Sequence, residues 1–518
     1  MSAAAQPDLR RAHRSVATWL TGVGAMAVVS LAGFFATPFL VRWLGDTPWG
    51  AWTVIGEWLG YLGLSQLALG PGALTIFLLR AHTSEEGARA LSAMARRGLR
   101  LYAWAALALM PAAVGLAWWA PHLLEVGAGL ENALRWAVAI AGVGSLALTP
   151  PLLFRSVLET VQRGYLVRAA LLIQSLLITG LSLWWVWAGW GMVGMAAASI
   201  AGMAVGALLW RIWAGRFLPQ WRATPPASLP AREIWKFNWP LVIAMAGNQI
   251  NQLTDNTVVG IMLGPAAVTG FALTQALPLL AGARLTDIGS VSWAALGELR
   301  HRDHSAFNAR IIELAAAVLG VGLVLMALVG SFTPDFVRLW VGGEHFDGLA
   351  LTWATAAALA VYGFVCFFTW LLDTQGDARR RLGSSTAGAV INLGLSIWWA
   401  RHWGVAGVAC GTLVAYLLTD AWYLPRLAVR LYGLNGSALA RACCAALVRG
   451  GVGAALVALA VHMLPGKLGW TGLIVNLAWL GAAAAVYCWF AVLRAADRAA
   501  WQARWRELRR RPLAGSAA

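Results

Sequence analysis

Four amides and an acid fall within one short stretch of an apolar run, Phe237 to Thr274: Asn248, Gln249, Asn251, Gln252 and Asp255. A carboxylate in such a run costs about 2.5–3.5 kcal/mol on membrane-insertion scales, so Asp255 needs a partner, a proton or a wet cavity. A second acid, Glu57, interrupts an earlier apolar run. Counted from the run ends at about 1.5 Å per residue, both acids lie roughly 10–12 Å below the same membrane surface. A carboxyl held there binds a proton or a sodium ion more readily than it tolerates a bare charge, which is the chemistry of a coupling site. Asp287 is a third acid of interest because Arg284 precedes it by three residues, a helical spacing that permits an ion pair. Arg284, Arg42 and Arg80 are the cations positioned to hold a phosphate group.

Each of these residues also has a plainer reading. Arg42 sits where a long side chain snorkels to the surface, and Arg80 closes a span. Arg284 and Asp287 form a structural pair as readily as a clamp. Glu57 is best read as bonded to neighbouring helices through Asn251, Gln252 or backbone. Asp255, beside four amides, is read as functional.

The elements that must position these groups are membrane spans. The chain of 518 residues is 60% hydrophobic and only 12% charged, and its mean hydropathy is +0.67. Soluble domains carry about 25% charged residues. Apolar runs long enough to cross a ~30 Å hydrocarbon core recur from residue 17 to residue 493, and they do not alternate as barrel strands do. The pattern predicts fourteen spans: 17–41, 50–78, 101–122, 132–154, 167–187, 191–213, 237–262, 266–296, 311–331, 348–372, 385–400, 404–425, 442–463 and 470–493.

Charge placement sets the orientation. Of the 39 Lys and Arg, only Arg42, Arg135, Arg338, Arg401 and Lys467 fall on one side, so the other side, with both termini, reads as cytoplasmic. The net charge of +17 therefore reflects positive-inside loops and does not point to nucleic acid. The segments 80–100 and 494–511 read as amphipathic surface helices whose arginines attract anionic lipids. Residues 1–15 are basic and the following span is too long for a cleavable signal, so the span reads as a retained anchor. The five cysteines lie inside apolar runs without paired spacing and read as core residues. No phosphate-cradling Gly loop and no metal-ligand motif occurs, so no cofactor is expected.

Two matches reveal an internal duplication. Gly180-Leu181-Ser182-Leu183-Trp184-Trp185 with Trp190-Gly191-Met192-Val193-Gly194 returns as Gly394-Leu395-Ser396-Ile397-Trp398-Trp399 with Trp403-Gly404-Val405-Ala406-Gly407. Likewise Leu44-Gly45 with Gly50-Ala51-Trp52 aligns with Leu263-Gly264 and Thr269-Gly270-Phe271. Six spans separate the copies, so the repeats are parallel, about an axis along the membrane normal. The expected fold class is an all-α membrane protein of about fourteen transmembrane helices, in two parallel six-helix lobes related by a pseudo-twofold, plus two extra helices. The expected division is a cytoplasmic N-terminus (1–16), an N-lobe (17–216), a linker (217–236), a C-lobe (237–428), the extra helices (429–493) and a basic tail (494–518).

These residues resemble the polysaccharide and oligosaccharide-lipid flippases of the multidrug/oligosaccharidyl-lipid/polysaccharide exporter superfamily. The likeness lies in Phe39-Leu40-Val41-Arg42-Trp43-Leu44-Gly45, in Gly60-Tyr61-Leu62 running to Arg80, in Asp255-Asn256 with Leu263-Gly264-Pro265, and in Asn392 running to the turn at Gly404. It implies two six-helix lobes around a central cavity and movement of a lipid-diphosphate-linked sugar to the outer leaflet of a bacterial inner membrane. The partners so implied are that lipid-linked glycan, anionic membrane lipids and other polysaccharide-assembly proteins.

A polar headgroup crosses hydrocarbon only along a path that satisfies its hydrogen bonds. Arg42, Arg80, Arg284, Asn248, Asn251 and Gln252 are the expected cavity groups, with Asp255, Glu57 and Asp287 the expected ion-coupling groups. The alternatives are a cation-coupled multidrug exporter on the same fold, a lipid II-type flippase, a membrane glycosyltransferase or ligase, and an uncoupled lipid scramblase. Short outward loops argue against the enzyme.

Overall fold

The computed structural model describes residues 9–69, 73–84, 86–218, 253–375, 377–464 and 469–495, with isolated positions between and beyond these stretches. Among the described residues every long element is a helix and no strand occurs. Among the described residues ten helices are long and apolar enough to cross a membrane, or eleven where the bent pair 128–147 and 152–160 is taken as one span. The chain is a multi-pass all-α membrane protein. It divides into two compact units, Met1–Thr269 and Gly270–Ala518.

The first unit contains α1 (Leu9–Leu44), α2 (Asp46–Leu69), α3 (Ala73–His82), α4 (Ala88–Leu123), α5 (Ala128–Ala147), α6 (Leu152–Thr160), α7 (Gly164–Trp187), α8 (Gly191–Gly215) and α9 (Asp255–Met262). The expected surface helix at 80–100 is different in the structure. No breaker separates Arg100 from Leu101, so α4 runs unbroken from its arginine-rich start through the span. The fourth expected span is bent by 43° between α5 and α6, at Pro150-Pro151, where ring and backbone cannot continue the ladder.

Helices α7 and α8 approach closely because α8 offers Gly202 and Gly206. A Cβ at Gly202 would lie 2.4 Å from Ile178, and one at Gly206 would lie 2.4 Å from the Gln174 amide oxygen. Small residues supply such contacts where lipid gives helices no hydrophobic reason to associate.

The second unit contains α10 (Pro265–Arg302, which begins at the end of the first unit), α11 (His304–Trp340), α12 (Leu349–Thr374), α13 (Leu382–Leu418), α14 (Asp420–Tyr432), α15 (Gly436–His462) and α16 (Trp470–Tyr487). Its centre is α11. The two expected extra helices, α15 and α16, pack on α11 through Val324, Leu328, Phe332, Val457, Leu473 and Ala484. The α11–α15 crossing is backbone on backbone, since a Cβ at Gly450 would lie 2.7 Å from the Gly320 carbonyl oxygen. A Gly450→Leu substitution is therefore expected to lower the thermal stability of the detergent-purified protein. A Gly451→Leu change, at a glycine with open space around it, should leave stability near wild type. Equal melting of the two variants would contradict this packing account.

The duplication is visible in the backbone. Gly191 and Gly404 both take positive φ, 52° and 59°, and Gly45 and Gly264 both do, 81° and 91°. These are conformations that L-residues other than glycine rarely adopt. Each of Gly191 and Gly404 starts a helix that folds back on its predecessor. In α13, Thr412 Oγ1 donates to Asn392 Oδ1 at 3.1 Å. Twenty residues of straight helix would separate them by about 30 Å, so α13 is a hairpin of two spans closed at Gly404. Equivalent close contacts seal both hairpins, Gly194 against Trp185 and Gly407 against Trp399. The tryptophans cluster alike, Trp184 on Trp185 on Trp190 in one copy and, in the other, Trp399 stacked on Trp403 with Trp398 tilted against Trp399. Trp184, Trp190, Trp398 and Trp403 are exposed, as interfacial tryptophans are.

Candidate functional site

The first unit holds a polar seam in an otherwise apolar region. Helix α2 is apolar on all sides, but Gly50, Val54, Glu57 and Tyr61 recur at i, i+4, i+7 and i+11 and so form one face. That face meets Gln249 and residues 253–269. A Cβ at Gly50 would lie 1.7 Å from the Pro265 carbonyl oxygen, and Thr269 Oγ1 donates to the Asp46 carbonyl at 2.7 Å. In the repeat register Pro265 is the counterpart of Asp46 and Thr269 of Gly50, so each residue touches the counterpart of the other. A reciprocal contact of this kind is what a two-fold relation produces.

Two turns further along α2 lies Glu57, 5% exposed. Its Oε1 accepts from the Asn256 backbone N–H at 3.1 Å and from Asn256 Nδ2 at 2.8 Å. Its Oε2 accepts from the Thr257 backbone N–H and from Thr257 Oγ1, both at 2.7 Å. All four contacts are donors. A carboxylate, acceptor only, satisfies all four, whereas a carboxylic acid could donate only to a turned Thr257 hydroxyl and would bind the two backbone N–H groups more weakly. Glu57 thus caps the N-terminus of α9 from another helix, where the first free N–H groups and the helix dipole favour a negative charge. The expected partners Asn251 and Gln252 lie outside the described residues, and Asn256 and Thr257 do the bonding.

The seam continues through Tyr61, whose hydroxyl lies 3.0 Å from the Leu253 carbonyl and 2.7 Å from Thr254 Oγ1. Gln249 Nε2 donates to the Gly60 carbonyl at 3.4 Å. Asp255 is the first residue of α9, half-buried beside this network, so two acids share one helix start.

The remaining expected groups are placed as follows. Arg42 is exposed at the end of α1, and Arg80 is exposed near the end of α3 with its guanidinium 5.8 Å from the Phe77 ring. Arg284 and Asp287 pair at 2.9 Å on α10, each about half exposed. An ion pair so open contributes little to stability. Asn248 lies outside the described residues, with Asn251 and Gln252. Among the described residues no group of three His, Cys, Asp or Glu is arranged to hold a metal. Sequence reasoning missed Tyr61, Thr254 and Thr257; the signal for Tyr61 is its place one turn from Glu57 on the stripe 50, 54, 57 and 61, and nothing in the sequence singles out the two threonines.

A carboxyl outside the spans also escaped notice. Asp347, in the connection between α11 and α12, is wedged against Gly270, where a Cβ would lie 2.5 Å from Oδ1. Its Oδ2 is buried without a hydrogen-bond partner among the described residues. Burial pushes the Asp347 carboxyl up to about 6, opposed by nearby His345. A carboxyl raised on folding binds a proton more tightly in the folded state, so stability rises as pH falls from about 6 toward the unfolded value near 4. Melting temperature should therefore increase between pH 7 and pH 5, and Asp347→Asn should flatten that slope. An unchanged slope in Asp347→Asn would exclude this carboxyl as its source.

Neither a protein-family model nor a curated protein matches the sequence. Solved structures do match in fold. The chain is similar to the lipid II flippase MurJ in an inward closed conformation, with a TM-score of 0.67 and 14% identity over 92% of this chain and 97% of that one. It is similar to an inward-facing multidrug-resistance transporter of the MATE family, of the MOP superfamily, with a TM-score of 0.62 and 16% identity over 80% and 99%. It is also similar to a mutant form of the Vibrio cholerae MATE transporter VcmN, with a TM-score of 0.55 and 15% identity over 82% and 99%. The chain has the fold shared by these membrane transporters and flippases.

Proposed function

We propose that the protein is a flippase that moves a lipid-diphosphate-linked oligosaccharide from the cytoplasmic to the outer leaflet of a bacterial inner membrane. It does so by alternating access, for export of a cell-surface polysaccharide. The observation that carries this reading is the extent of the likeness to the lipid II flippase. That match takes in 92% of the chain at a TM-score of 0.67, whereas the MATE structures match 79–88% at TM-scores of 0.51–0.62. The extra helices α15 and α16 are part of a chain of this length. The sequence features cited above for the polysaccharide flippases add the glycan.

In this reading Arg42, Arg80 and Arg284 offer charge to the diphosphate, and the amides Asn248, Asn251 and Gln252 offer hydrogen bonds to sugar hydroxyls. Asp255, Glu57 and Asp287 are the proposed ion-coupling groups. For Glu57 the chemistry is concrete. A proton arriving there removes the negative charge from the helix start and weakens the bonds to the Asn256 and Thr257 N–H groups, which loosens α2 from α9 and links ion binding to movement. A second reading, a cation-coupled multidrug exporter, is favoured by the MATE likeness. The two separate on depletion of the protein in cells. The flippase reading expects lipid-linked glycan to accumulate in the cytoplasmic leaflet, and unchanged glycan with raised drug sensitivity would replace it with the exporter.

A further inference from the structure

In the first unit, away from Glu57, the structure contains a preformed cavity of about 300 Å³ lined by Leu99 of α4, Leu148 and Pro151 of the α5–α6 bend, Phe154 of α6, Ala204, Ala207, Leu208 and Arg211 of α8, and Trp221. Its wall on α8 is the face 204–208–211, spaced at i, i+4 and i+7, and all three of these residues are exposed. Its roof is fixed. Arg96 donates to the carbonyls of Trp221 at 3.1 Å and Thr224 at 2.8 Å, Ala227 N–H donates to the Ala93 carbonyl at 2.9 Å, and the Trp221 ring lies 5.7 Å from that of Phe154. The lining side chains are aliphatic or aromatic apart from one guanidinium. Arg211 has neither an ion pair nor a hydrogen bond among the described residues.

We propose that this cavity binds one anionic phospholipid, its acyl chain against Leu99, Phe154 and Leu208 and its phosphate on Arg211. The charge pattern selects that occupant. The cavity lies at the end of α8 that the arginine distribution assigns to the cytoplasm, and Arg96, Arg97, Arg100 and Arg216 neighbour it in sequence or strap its roof. The nearby acid on α6, Glu159, is engaged by Arg155 at 3.0 Å. An apolar slot ending in an uncompensated cation at the headgroup level matches a negatively charged lipid of that leaflet. The fixed roof means that little ordering accompanies binding. This site is independent of the proposed transport reaction.

The test is native mass spectrometry of the full-length protein, delipidated and titrated with phosphatidylglycerol, phosphatidylcholine or glycerol 3-phosphate. Phosphatidylglycerol is expected to bind as a first adduct, more tightly than phosphatidylcholine, and glycerol 3-phosphate not to bind. Arg211→Gln should weaken phosphatidylglycerol roughly fivefold, the effect of one arginine at a membrane surface, and leave phosphatidylcholine unaffected. Arg211→Lys should retain most of the preference, and Ala204→Trp, which fills the slot from its exposed side, should weaken both lipids. Equal phosphatidylglycerol affinity in wild type, Arg211→Gln and Ala204→Trp would overturn the proposal. Displacement of phosphatidylglycerol by a polyprenyl diphosphate that binds this slot more tightly would overturn it too, by making the slot a substrate site.

Discussion

Glu57→Gln is expected to slow transport about ten- to hundredfold while the protein still inserts and accumulates. The amide keeps the size of the side chain but replaces one acceptor oxygen with an NH₂. Whichever way the amide is turned, that NH₂ faces a backbone N–H that cannot accept, of Asn256 or of Thr257, and only the Thr257 hydroxyl can turn to accept from it. Losing hydrogen bonds to a charged acceptor costs about 1.5–3 kcal/mol. At about 1.4 kcal/mol per decade, this shifts the docked state of α2 and α9 by one to two powers of ten. Initial rates of lipid-linked glycan translocation in reconstituted vesicles measure this. Thr257→Ala, which removes one of the four donors and leaves the carboxylate, should fall between Glu57→Gln and wild type. A wild-type rate in Glu57→Gln would exclude Glu57 from both docking and coupling.

The second large effect is expected from Gly50→Ala. One methyl group at this position would lie 1.7 Å from the Pro265 carbonyl oxygen, a collision with backbone that no rotamer change relieves. Overpacking of this kind costs about 1–3 kcal/mol, occasionally more. It acts on the contact between α2 and the start of α10, and so on any step of the cycle in which that contact closes. The same substitution six residues on serves as the control. Gly56 has nothing within 4 Å of a new Cβ, and alanine there should stabilise α2 by about 0.5–1 kcal/mol. Transport should therefore fall in Gly50→Ala and hold in Gly56→Ala. Equal rates in the two variants would show that the close approach at Gly50 has no part in the cycle.

Much of the architecture could be read from residue types alone, because membrane spans obey strong constraints. Long apolar runs must be helices, arginines mark one face of the membrane, and the left-handed turns at Gly45, Gly191, Gly264 and Gly404 require glycine. Those glycines made the duplication legible before any coordinate was known, and the hairpins at Gly191 and Gly404 repeat one another down to the stacked tryptophans. The unbroken α4 was less legible, since a basic amphipathic start and an apolar continuation look like two elements when they are one helix.

The polar seam was harder still. In an all-apolar helix such as α2 there is no hydrophilic face to single out the contact stripe, and the partners of Glu57 lie about 200 residues further along the chain. Asp255 drew attention because four amides precede it, whereas Glu57 carries the fully described hydrogen-bond set. Asp347 was illegible for a related reason. Its burial comes from Gly270 on another helix, and a short polar connection gives no sign that one of its carboxyls is enclosed.

The central claim is that this chain carries a lipid-borne glycan across the bilayer, and reconstitution tests it most directly. The purified protein is placed in vesicles containing a labelled undecaprenyl-diphosphate oligosaccharide, and the fraction reachable by an impermeant glycan-modifying reagent is followed over time. The account predicts that the protected fraction becomes reachable in vesicles with the protein, slowly in those with Glu57→Gln, and not at all in empty ones. Protection that stays the same with and without the wild-type protein would contradict it.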